Sequence, residues 1–290
     1  MPSNTIRARS APRIRKAAID SELLKRLTLP EFGRQPPASW MQDELPALLE
    51  RWYAFGAFVG HRHRRRRRVN ELCLVVMTSD KHAPSPTSAV AAIPQRVHWQ
   101  EGRNEFSLPT DVIGLPAEFE HQAGTVFGPG DVSSANGEVS SIGAVVQSGV
   151  NRIACNVIER RQKGSVDYAL LSPTGSARLD NLFRDQVRIG PVYTPGPADL
   201  HRTVYLLHGD GGIRRTRCSG VNGSFNAPGA TYNNLILTDA VSESGDSGGA
   251  LVDDGNRLWG FLLGRLDVRF SFYVPAQIVL DVAGVSLFQG

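Results

Sequence analysis

An all-β fold preceded by a short helical extension is the class this chain predicts, and three observations predict it. From Val69 onward, short apolar runs are broken every few residues by Gly, Pro, Asn and Asp, the texture of a barrel or sandwich. Helical spacing is confined to the front, where Leu45, Leu48, Leu49, Trp52, Tyr53 and Phe55 fall on one face, and to the last segment. The chain has 290 residues, with 41% hydrophobic and 21% charged content. That is enough for one large β domain or two smaller ones around an ample core.

Taken in order, residues 1–16 read as a disordered basic tail. Helices are expected near Ile19–Leu27 and Asp43–Phe58, the second packing its apolar face on the larger domain. Strands are expected at Leu72–Met77, Ile142–Val146, Arg152–Ile158, Tyr168–Leu171, Val204–Leu207, Asn234–Leu237, Gly249–Val252 and Leu258–Leu263. The Gly/Ser/Asn-rich stretch from Gly128 to Ser141 reads as a loop, and Pro275–Val285 as a closing helix. The domain reading is therefore residues 1–68 as extension and 69–290 as β domain, its two halves meeting near 172–200.

Charge and cysteine usage narrow the class. The net charge of +4 is local: Arg62, Arg64, Arg65, Arg66, Arg67 and Arg68 form one cluster. Such a run reads first as a solvated linker that repels itself into an extended form. Its other reading is a patch for nucleic acid or an acidic membrane surface, against which stands the lack of interleaved aromatics. Three cysteines, Cys73, Cys155 and Cys218, cannot all pair and lack metal-ligand spacing, so no metal and no cofactor are expected. The polar, basic start carries no apolar segment of a secretory signal. Together these point to reduced thiols and a cytoplasmic location.

The chemistry concentrates in Ser244-Gly245-Asp246-Ser247-Gly248-Gly249-Ala250-Leu251-Val252. Average residue frequencies put a chance Gly-Asp-Ser-Gly-Gly in a chain of this length at roughly one in a thousand. A serine hydroxyl is a weak nucleophile, so it needs a tight turn that exposes Oγ and aims backbone N–H groups at a developing oxyanion. Gly245 allows the backbone geometry for that, and Gly248 and Gly249 leave room for a neighbouring strand. Asp246 is expected to shape the turn by pairing with a buried donor.

Together with Ser165-Val166-Asp167-Tyr168-Ala169-Leu170-Leu171 and Leu258-Trp259-Gly260-Phe261-Leu262-Leu263-Gly264, this turn resembles the chymotrypsin/trypsin-like serine proteases. The likeness is to intracellular, disulfide-free bacterial and plant-type members. It implies two six-stranded antiparallel β-barrels with the site between them. It also implies Ser247 as nucleophile, the N–H groups of Gly245 and Ser247 as oxyanion hole, and Asp167 as the carboxylate that orients a histidine. Leu263 and Gly264 would lie on the strand that pairs with substrate backbone. Val241, six residues before Ser247, would sit in the specificity pocket, where it argues against basic side chains and for small or apolar ones. Asp167 precedes Ser247 by 80 residues, against roughly ninety in the family template.

The family's histidine motif is absent. Of seven histidines, His121 has the appropriate spacing, 46 residues before Asp167, but no strand leads into it. A second alignment puts Asn156 in the histidine position, only 11 residues before Asp167; the favoured explanation is that the histidine-bearing hairpin has been shortened or lost before that strand. Two functions stay open on sequence: a serine endopeptidase acting on proteins or peptides, or an inactive pseudoprotease serving as a peptide-binding or regulatory scaffold.

Overall fold

The computed structural model describes residues 36–37, 39–64, 67–79, 93–115, 119–121, 131–133, 139–148, 151–156, 168–171, 180–183, 187–209, 212–227 and 230–289. Among these the strands in chain order are β1 (Ala54–Arg64), β2 (Arg67–Thr78), β3 (Arg96–Glu101), β4 (Asn104–Gly114), β5 (Phe119–His121), β6 (Asp131–Ser133) and β7 (Val139–Ser141). There follow β8 (Ala144–Ser148), β9 (Asn151–Asn156), β10 (Ala169–Leu171), β11 (Leu182–Phe183), β12 (Val187–Arg188) and β13 (Thr203–Leu207). The last are β14 (Ile213–Ala227), β15 (Ala230–Asp239), β16 (Ala250–Asp253), β17 (Leu258–Leu266), β18 (Phe270–Pro275) and β19 (Ser286–Leu287).

The fold is all-β, and its centre is a closed antiparallel barrel of six strands in the order β13-β16-β17-β18-β15-β14. Pairing of β13 with β14 closes it. Alternation explains why these segments choose strands. Successive side chains of a strand point to opposite faces, and here both faces are dry. In β17, Phe261, Leu263 and Leu266 enter one hydrophobic core and Trp259 and Leu262 the other. In β18, Phe270, Phe272 and Val274 enter the first and Tyr273 the second.

Outside the barrel, β1 pairs with β14 and continues the sheet through β2, β4 and β3. A second, four-stranded sheet runs β10-β9-β8-β19. Closure is found in one barrel among the described residues. The segment to which the resemblance assigns the other barrel, from residue 69 to the boundary near 172–200, is described in part.

Local expectations are corrected at the helix, the arginine run and the 128–141 loop. The helix expected over Asp43–Phe58 is a π-turn at Trp40–Glu44 followed by an α-helix over Leu45–Arg51. Tyr53, at φ 51°, ends it. The chain then becomes β1, because Phe58 enters one core while Ala57 and Val59 enter the other; a surface helix buries one face, whereas this segment must bury two. The described part of the arginine run is likewise not an extended linker: Arg62 and Arg64 lie in β1 and Arg67 and Arg68 in β2, with His63 opposite Arg68 and Arg64 opposite Arg67. Arg65 and Arg66 lie outside the described residues, as do the tail and the Ile19–Leu27 segment. The boundary expected at 68/69 falls within β2. Residues 128–141, expected as loop, contain the short β6–β7 pair.

Candidate active site

The nucleophile loop links β15 to β16, both barrel strands. Its turn is closed by backbone bonds from Asp246 N to Glu243 O (3.1 Å) and from Gly249 N to Asp246 O (2.8 Å). Two more tie it to β17: Gly248 N donates to Leu262 O (2.8 Å), and Leu262 N to Gly249 O (2.9 Å). Gly245 (φ 95°) and Gly248 (φ 85°) adopt left-handed backbone, which a residue with a Cβ disfavours. Gly249 is needed for space: a Cβ there would lie 2.8 Å from Leu207 O and 2.9 Å from Asp246 O.

Ser247 sits at the head of this turn and is 6% exposed. Its hydroxyl makes no hydrogen bond among the described residues. The amides of Asp246, Gly248 and Gly249 all donate within the protein. Those of Gly245 and Ser247 donate to no carbonyl among the described residues. Among the described residues, two N–H groups beside this hydroxyl therefore donate to no carbonyl.

Asp246 shapes the turn, held by donors that are part-buried and not, as expected, buried. Its Oδ2 accepts from Arg214 Nη1 (2.7 Å) and from Glu243 N (2.7 Å). Its Oδ1 lies 3.3 Å from Nδ1 of the buried His208. Arg214 also donates to Val241 O (3.0 Å) and Glu243 Oε2 (3.0 Å), so one guanidinium holds the loop at three points. A carboxylate 7% exposed requires such a charge-assisted partner. Sequence reasoning missed Arg214; the signal was the alternation Arg214-x-Thr216-x-Cys218 of β14.

Ser141 was missed as well. Its N–H donates to Ser247 O (2.7 Å), its Oγ donates to Gly245 O (3.1 Å), and that Oγ accepts from Gly209 N (2.7 Å). Fully buried, it clamps the carbonyl side of the turn. Next to it, a Cβ on Gly143 would come within 2.4 Å of Gly248 O. Asn181 secures the following strand, β8, by accepting from Val145 N (2.6 Å) and donating to Val145 O (2.8 Å).

The other expected residues are distributed as follows. Leu263 is buried in the core. Gly264 pairs with Phe272 of β18 on one side and with His121 of β5 on the other. Val241 lines a cleft of about 370 Å³ with Arg215, Thr216, Arg217 and Asp239, a lining more polar than an apolar pocket needs. Asp167 lies outside the described residues; Tyr168, which follows it, packs on the core. β9 pairs directly with β10, Asn156 opposite Ala169. Among the described histidines, His98 faces Glu105 (3.3 Å) and His61 Nδ1 meets His201 Nε2. Arg62 pairs with Glu71 at 3.5 Å.

Cys73 and Cys218 are free and buried. Burial pushes both thiols up to about 12, so neither is a nucleophile near neutral pH. Among the described residues no group of three or more His, Cys, Asp or Glu gathers as a metal site. No helix among them is long and apolar enough to cross a membrane.

A closed antiparallel barrel carrying a Gly-Asp-Ser-Gly-Gly turn defines a chymotrypsin-like architecture. Solved structures similar to the chain are serine proteases of that kind. One is Thermobifida fusca protease A, 17% identical over 57% of this chain and 99% of that one, with a TM-score of 0.46. Another is Cellulomonas bogoriensis chymotrypsin, 18% identical over 52% and 91%, with a TM-score of 0.41. A protease from M. tuberculosis in its active form is 16% identical over 90% and 95%, with a TM-score of 0.33. No family model matches the chain, and no curated protein does. At such distances the reading of the site rests on the chain's own geometry.

Proposed function

We propose that this chain is a serine endopeptidase whose nucleophile is Ser247. The observation that carries the reading is the pair of unspent amides, Gly245 N–H and Ser247 N–H, beside a hydroxyl with no hydrogen bond among the described residues. Two main-chain donors beside the nucleophile are what a tetrahedral oxyanion requires. The rest of the turn supports it. Arg214 fixes Asp246 and Ser141 fixes the carbonyls of Gly245 and Ser247, so the two amides are held before substrate arrives.

In the proposed reaction Ser247 Oγ bonds to the scissile carbonyl carbon as its proton passes to an imidazole. The oxyanion rests on the two amides. Collapse breaks the C–N bond and returns that proton to the leaving amine, and water then hydrolyses the ester by the same route. Asp167 is proposed to orient the imidazole. His121, nominated by its spacing from Asp167, is proposed as that imidazole; its main chain pairs with Gly264.

The test is hydrolysis of a quenched-fluorescence peptide library by the full chain and by Ser247→Ala. Turnover by the native chain should fall at least about a thousandfold in the variant. Its rate should decline below about pH 6.5 as the imidazole protonates. Peptide binding without turnover at any pH would contradict the proposal and leave a peptide-binding scaffold.

A further inference from the structure

The edge of β17 holds its neighbours in a definite order. On one side β18 pairs along Gly260–Leu266. On the other, β16 covers Leu258–Phe261, and the nucleophile turn, through Gly248 and Gly249, covers Leu262. Beyond the turn that edge would stand open at Gly264–Leu266. An open edge is a template for any extended chain, because its unpaired N–H and C=O groups accept a strand by main-chain bonds alone.

The chain fills that place itself. β5 adds there antiparallel, with Gly264 opposite His121, Arg265 opposite Glu120 and Leu266 opposite Phe119. Its direction carries the argument. Running from Phe119 to His121, β5 travels from Leu266 back toward Leu262, so its carboxyl end points at the turn that bears Ser247. A substrate strand on this edge must run the same way to bring the bond after its last paired residue to the hydroxyl.

Resting on the proposed function above, we propose that Phe119–His121 is an internal stand-in for substrate: β5 occupies the peptide-receiving edge of β17, and an incoming peptide must displace it. The ligand class follows from the pairing. It is an extended peptide that pairs with Gly264–Leu266 through its main chain. Because an intramolecular strand competes at high effective concentration, apparent affinity for a free peptide falls by the fraction of edge left open.

The experiment uses the full chain and a dye-labelled peptide of residues 115–124, Leu-Pro-Ala-Glu-Phe-Glu-His-Gln-Ala-Gly, with binding read by fluorescence anisotropy. A variant with Phe119→Pro, Glu120→Pro and His121→Pro cannot form β5 and should bind the peptide at least tenfold more tightly than the native chain. The single substitution Glu120→Pro, which disfavours strand pairing at the centre of β5, should move affinity the same way by a smaller factor. It decides the matter if circular dichroism finds the triple-proline variant unfolded. Equal affinity in native and folded variant chains, or no binding by either, overturns the proposal. The binding readout needs no chemistry, so it stands apart from Ser247 labelling by a small fluorophosphonate. A labelled serine with unchanged peptide affinity sinks the stand-in alone; tighter binding without labelling sinks the peptidase reading alone.

Discussion

The barrel of β13–β18 and the strands before residue 190 contribute to the same site in different ways. The barrel is built from one uninterrupted stretch of chain, Thr203–Pro275, and it supplies nearly everything the turn needs: Ser247, both unspent amides, Asp246 and its anchor Arg214. The earlier strands contribute by contact. Ser141 and Gly143 lean on the turn, and β5 lies on β17. The turn with its hydroxyl and amides is thus carried by the closed barrel, whereas the imidazole proposed to take up the proton is sought among the earlier strands. Perturbations inside the barrel should therefore hit folding and site together, and those outside should hit the site more than folding.

The largest effect expected is at Asp253, which tests the barrel half. Fully buried, it accepts from Gly255 N, Arg257 N, Arg257 Nε and Trp259 Nε1. Asp253→Ala should cost about 3–5 kcal/mol by urea unfolding, because it strands buried donors and the Arg257 charge. Its pH signature has a definite sign. Burial pushes this carboxyl up, but the bonds from Arg257 and Trp259 outweigh burial and hold it below the usual aspartate value. Its contribution is full above the unfolded value of about 3.9 and is lost as pH falls through the lower folded value. Stability of Asp253→Asn should accordingly vary less than native between about pH 4 and pH 2.

Next comes Asp246→Ala, which should cost about 2 kcal/mol. The figure lies below that for a fully buried pair because Arg214 is 25% exposed. Reactivity of Ser247 should be lost even in the folded fraction, a result that a purely structural pair would not give. Gly143→Ala sharpens the contrast from outside the barrel. Overpacking against Gly248 O should cost about 1–3 kcal/mol and slow labelling of Ser247 more than it lowers the melting temperature. The smallest effect is at Arg217, whose pair with Asp239 at 3.3 Å is largely exposed; Arg217→Ala should stay within about 0.5 kcal/mol.

The same contrast explains what could be read from sequence. The barrel strands that follow Ser247 were legible because Ala250–Val252 and Leu258–Leu263 are apolar on both faces and bounded by turn residues. The turn was legible because its geometry demands glycines beside the serine. Arg214 and Ser141 were not, since each acts through the topology that brings β14 and the end of β7 against a loop far along the chain. β1 was misread as helix because Leu48, Trp52 and Phe55 share a helical spacing, and only the partner strands β2 and β14 reveal that both faces of 54–60 are buried. β5 has three residues, too few for any period to speak.

The central claim is that the Ser247 hydroxyl stands beside two amides waiting for an oxyanion. Fluorophosphonate labelling followed by peptide mapping tests this most directly, since the adduct's phosphoryl oxygen must be received by those same N–H groups. The account predicts a single adduct on Ser247, absent from Ser247→Ala and from Asp246→Ala. An unlabelled Ser247 in the folded native chain would contradict it.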